Sequence, residues 1–154
     1  MKSLALIAVL LAAACGSKSS SSTTPTGGGD GSAVAAPLPD VPFDSLNHDQ
    51  KIQFMKEKVV PTMGPLFKEH DPQEFAEFGC VTCHGEGAKE GKFHMPNDKL
   101  PKLFGPSMDK HKKEDIEWMG KVIKPTMAKI LQEPEYSEQV PDGFGCLHCH
   151  EQEK

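Results

Sequence analysis

Two pentapeptides carry the chemistry of this chain: Cys80-Val81-Thr82-Cys83-His84 and Cys146-Leu147-His148-Cys149-His150. Both read C-x-x-C-H. Two thiols at this spacing can each form a thioether to one porphyrin, and the histidine that follows then comes under the iron as a proximal ligand. Two copies imply two covalently bound haem c groups in 154 residues. The cysteines Cys80, Cys83, Cys146 and Cys149 would hold them, with His84 and His150 on the irons. Other chemistry is open to C-x-x-C pairs. Four cysteines can bind zinc, and either pair could be a thiol–disulfide switch. Neither needs a histidine directly after the second cysteine, and here both copies have one. His148, inside the second motif, reads as an exposed, variable position.

Each iron has a further axial position, which His or Met can fill. Only residues 151–154 follow His150, so its distal ligand is expected upstream. Met63 and Met127 lead the candidates. Each lies two residues after a proline, and they precede the first cysteine of their motifs by 17 and 19 residues. Met55 and Met119 are the alternative pair. A methionine on an apolar helical stripe can also be core filler. His48 with His111, and His70, keep bis-histidine ligation open, and Met95 ranks below them.

These ligands need an element to carry them, and the chain repeats one. Residues 54–63, FMKEKVVPTM, match residues 118–127, WMGKVIKPTM, at an offset of 64. Both copies go on to Phe-Gly-Cys, Phe78-Gly79-Cys80 and Phe144-Gly145-Cys146, where the offset is 66. Ile52, Met55, Val59, Met63, Leu66 and Phe67 recur at helical spacing. So do Ile116, Met119, Ile123, Met127, Ile130 and Leu131. Residues 47–49 supply N-caps for the first helix, and Pro61 and Pro125 predict kinks or helix starts. The C-x-x-C-H segments should open short helices, the first stopped by Gly85 and Gly87. No stretch alternates as a strand does. The expected fold is all-α: two duplicated helix–turn–C-x-x-C-H units, at about 47–90 and 111–154, joined by an irregular surface loop over 86–110.

The N-terminal third is of another kind. Residues 1–14 read as a lipoprotein-type export signal, with Lys2, an apolar run over 4–11 too short to span a membrane, and three alanines before Cys15. Cys15 is the expected lipidated residue. Residues 15–42, rich in Ser, Thr, Gly and Pro, read as a disordered tether. The dihaem domain is then 43–154. It has one Trp and one Tyr and a modest core of its own, so two haems would supply much of the missing apolar area. A net charge of −5 with no basic patch speaks against nucleic acid and for a cationic redox partner.

A methionine-bearing helix followed by a turn and C-x-x-C-H resembles the haem units of the multihaem cytochrome subunit of photosynthetic reaction centres. The resemblance covers about 52–85 and 116–150. It rests on Met55 or Met63 with Cys80, Cys83 and His84, and on Met119 or Met127 with Cys146, Cys149 and His150. It implies an axial methionine from the preceding helix and haem units paired by a pseudo-twofold axis. This chain departs in having two such motifs instead of four, and in its repeated Pro-Thr-Met. The expectation is an exported dihaem electron carrier tethered by lipid to a bacterial membrane, with the outer membrane preferred. It would face the periplasm or the cell surface, pass electrons between redox proteins and have no small-molecule substrate. The alternatives are a dihaem peroxidase, which needs one five-coordinate haem and two unlike units, and a zinc or disulfide protein.

Overall fold

A computed structural model describes residues 36–154. The expected export signal over 1–14, Cys15 and the tether as far as residue 35 lie outside the described residues. Within them all regular structure is helical, in the order α1 (His48–Phe54), α2 (Val60–His70), α3 (Cys80–His84), α4 (Lys113–Trp118) and α5 (Lys124–Leu131). There is no strand among the described residues; isolated bridge pairs tie the loops together. No helix among them is long and apolar enough to cross a membrane.

Helix α1 starts at a capping box. The Gln50 N–H donates to Asn47 Oδ1 and the Asn47 N–H donates to Gln50 Oε1, each at 3.0 Å. Two donors that the first turn would leave unpaired are thereby satisfied. The chain runs from α1 into α2 through a π turn, Met55–Val59, in which the Val60 N–H reaches back to the Met55 carbonyl. Helices α4 and α5 are joined in the same way by Met119–Ile123, with Lys124 N–H on the Met119 carbonyl. Proline explains both turns. Pro61 and Pro125 have no N–H, and in an unbroken α-helix each ring would strike the carbonyl four residues earlier. One wider turn relieves the clash and lets the helix go on. The threonine after each proline bonds back to its own i−4 carbonyl: Thr62 Oγ1 donates to the Lys58 carbonyl at 2.7 Å, and Thr126 Oγ1 to the Val122 carbonyl at 2.6 Å, a contact that accompanies bent helices. Pro-Thr-Met thus restarts a helix and leaves the methionine on its packed side.

Both α–π–α segments feed one core. Its buried members are Phe54, Val59, Met63 and Phe67 from the first and Ala128 and Leu131 from the second, joined by Leu46 just before α1 and by Phe144. Trp118 meets Phe67 edge-on at 5.0 Å and stacks on His70 at 3.9 Å, while His70 Nε2 pairs with Asp115 Oδ1 at 2.8 Å. Leu38 and Val41, in the segment whose composition reads as tether, also pack against this core.

The connection over 86–110 corrects one expectation. It is irregular, with short 3₁₀ turns at Glu86–Glu90 and Met108–Lys110, but it is not only a surface loop. Asn97 is buried within it. Leu103 exchanges backbone bonds with Glu151 and Glu153 at 3.0 and 2.9 Å. Glu153 in turn accepts from the Ser107 hydroxyl at 2.6 Å and the Ser107 N–H at 2.7 Å. The linker is held because its polar groups find partners on the C-terminal segment and need not face water.

Candidate functional site

The first motif is brought to the helix by Phe78. Its ring lies over Gly64, where an added Cβ would come within 3.3 Å of it, and packs on Phe67 at 4.8 Å. Gly64 directly follows Met63. In the second copy the residue after Met127 is Ala128, buried in the same cluster as Phe144. In both copies a small residue follows the methionine, and in the first it is where Phe78 docks. That pairing was visible at the offset of 64 but is easily passed over, because glycine and alanine carry no chemistry.

Past the phenylalanine, each motif turns on the same bond. The Gly79 N–H donates to Thr82 Oγ1 at 3.1 Å, and the Gly145 N–H to His148 Nδ1 at 3.0 Å. His148 is exposed, as its position suggested, but it is not a free surface residue. Its ring caps the turn and packs against Phe144 at 4.8 Å. The first motif forms α3, while the second forms only the 3₁₀ turn Cys146–His148. Helix α3 ends at Gly85, whose φ of +69° suits glycine.

The two motifs meet at Asn97. Its side-chain amide donates to the Cys83 carbonyl at 2.8 Å, and its backbone N–H donates to the Cys149 carbonyl at 2.9 Å. Burial pushes the Cys83 thiol up to about 11, with Cys80 adding to the effect. It pushes Cys149 up to about 12, with Cys83 and then Cys146 adding. All four cysteines of the motifs are free thiols. No group of three or more His, Cys, Asp or Glu among the described residues is placed to hold a bare metal ion.

The two motif histidines are held differently. His150 Nδ1–H donates to the Pro101 carbonyl at 2.8 Å. That bond fixes the ring and the tautomer and leaves the lone pair on Nε2, the usual arrangement behind a metal-binding histidine. His84 is held below its ordinary value by burial and so favours the neutral form that binds metal. Its ring stands edge-on to Phe93 at 5.4 Å, and its Nδ1 is buried without a hydrogen-bond partner. Open grooves lie against both motifs, one lined by Phe78, Gly79 and Val81, the other by Pro96, Leu147 and His150. Of the motif cysteines and histidines, only His150 lines one of these grooves.

The candidate distal ligands separate by environment. Met63 is 2% exposed and the most deeply buried large side chain. Met127, Met55 and Met119 are half-buried around the same core. The histidines named as alternatives are placed elsewhere. His48 is exposed at the start of α1. His70 is taken up by Asp115 and Trp118, and His111 Nε2–H donates to the Lys102 carbonyl at 3.0 Å. Met95 is half-buried in the linker.

No protein-family model, no curated protein and no solved structure matches this chain.

Proposed function

We propose that the chain is a dihaem c-type cytochrome, an electron carrier and not an enzyme, built from two duplicated helix–turn–C-x-x-C-H units. The observation that carries this reading is the pairing of two C-x-x-C-H motifs, the second with its histidine Nδ1–H tied to the Pro101 carbonyl and Nε2 free to bind. Haem, once bound, supplies one-electron chemistry at iron. Cys80 and Cys83 would hold one group, Cys146 and Cys149 the other, with His84 and His150 on the irons. Pro101 would orient the second histidine. Met63 and Met127 are the proposed distal ligands, and Met55 and Met119 the alternative pair. Filling both axial positions with protein leaves no place for substrate. Sulfur ligation favours a higher potential than a second histidine.

The α–π–α segments at an offset of 64 support the duplication, since the same disturbance of the helix falls at matched residues. The N-terminal sequence extends the reading to an exported lipoprotein anchored through Cys15, facing the periplasm or cell surface, preferably at the outer membrane, with proteins as redox partners.

Mass spectrometry of the protein from a strain competent for haem attachment tests the reading. Two haem additions are expected. An unmodified mass, or a mass with zinc, would overturn it.

A further inference from the structure

One residue touches both C-x-x-C-H motifs. Asn97 is 7% exposed, the buried polar residue of the described chain. It donates from its side-chain amide to the Cys83 carbonyl and from its backbone to the Cys149 carbonyl, at 2.8 and 2.9 Å. These two acceptors occupy the same place in the two motifs: each is the carbonyl of the second cysteine, next to the histidine. The remaining groups of Asn97 are also engaged. Its Oδ1 accepts the Lys99 N–H at 3.0 Å and its carbonyl the Leu100 N–H at 3.2 Å, which fixes the turn around it. Gly85, directly after His84, passes so close that an added Cβ would lie 3.3 Å from Asn97 Nδ2. A buried amide is costly to leave half-paired, and an apolar residue would fill this space without that liability. What an apolar residue lacks is the ability to bind two matched carbonyls at once, and so to hold two motifs in a single relation.

We propose, on the dihaem reading above, that Asn97 is a positioning residue that locks the two haem-attachment turns together, so that the two haems interact electronically and do not behave as independent centres. Substitution of Asn97 should change their coupling more than their attachment.

The test uses the full-length haem-loaded protein. Reference spectra come from two variants that each keep one covalent attachment site, C80S/C83S and C146S/C149S. The wild type should show a two-signed circular-dichroism couplet in the Soret region that the summed single-site spectra lack. Asn97→Asp keeps the backbone N–H and the oxygen that Lys99 uses, but removes the amide donor to Cys83. Its couplet should fall measurably below that of the wild type, since the bond that joins the linker to the first motif is lost. A merely structural role would lower the melting temperature and leave the couplet unaltered. Should Asn97→Asp fail to accumulate with two haems, Asn97→Ala takes its place under the same criterion. A wild-type spectrum equal to the sum of the single-site spectra, or a couplet indifferent to substitution, overturns the proposal while two haem masses leave the dihaem reading intact. Absence of the haem masses removes that reading instead.

Discussion

The sulfur atoms of Met63 and Met127 sit in unequal surroundings, although the residues match in the repeat. Met63 is buried in the core, while Met127 lies half-open beside it. Burial alone would suit a core filler, so the two roles have to be separated by a change that keeps volume. Leucine for methionine in a core costs less than about 1.5 kcal/mol. The double variant Met63→Leu/Met127→Leu should therefore stay folded but lose the near-infrared sulfur-to-iron band. If the band persists there and vanishes in Met55→Leu/Met119→Leu, the alternative pair holds the irons. The thiols offer a second check at this scale. Cys83 and Cys149 lie far above the ordinary thiol value of 9.0, chiefly through burial. A raised value means less thiolate at neutral pH, and the thiolate is the nucleophile. In chain lacking haem, alkylation of Cys83 and Cys149 should lag behind that of Cys80 and Cys146. The lag should shrink as pH rises toward about 11. Equal rates at neutral pH, read by peptide mass mapping, would contradict the burial.

At the scale of elements, the Pro-Thr pairs and the linker contacts decide what the segments can do. Thr62→Val and Thr126→Val each remove a hydroxyl bond to the carbonyl four residues earlier. Each should cost about 0.5–1.5 kcal/mol in denaturant unfolding, and serine at either position should restore most of it. Glu153 anchors the linker to the C-terminal segment, and hydrogen bonds from the Ser107 hydroxyl and then its amide hold its carboxyl below the ordinary value of 4.5. A depressed value means that the unfolded chain binds the proton first. The contact is therefore fully present above the ordinary value and is lost as pH falls through the folded one. The Ser107 amide resonance should move as pH is lowered below about 4.5, and should not titrate in Glu153→Gln. A shift of equal size in that variant would place the effect elsewhere. The helices and their proline restarts were legible from apolar spacing and a repeated motif, because both are local. The linker was not: its composition is that of a surface loop, and its partners lie some 46 residues away at Glu153.

At the scale of the whole molecule, Trp118 binds the two halves. It stands against Phe67 and His70 of the first segment while belonging to the second, and Asp115 pairs with the same His70. Removing it strips both segments of a shared contact, so Trp118→Ala should cost on the order of 2 kcal/mol or more. It should lower a single unfolding transition shared by all probes. Melting of one segment ahead of the other would show that the halves are separate cores. The same interdependence accounts for the thin set of buried residues: each segment alone presents one apolar stripe, and only their union with Phe144 encloses Met63.

The sequence by itself determined the local structure: the two C-x-x-C-H motifs, the all-helical class, the repeat at an offset of 64, and the methionines at matched places. Spacing along the chain is enough for these, since thiol pairs, caps and helical stripes involve residues within a few positions of one another. Tertiary structure decided which linker residue meets the motifs and which backbone carbonyl orients His150. Those depend on Asn97 and Pro101 being brought to their partners by the folded chain. A hydrogen bond between residues far apart in sequence leaves no periodic trace, because it demands only that one donor and one acceptor arrive at the same point.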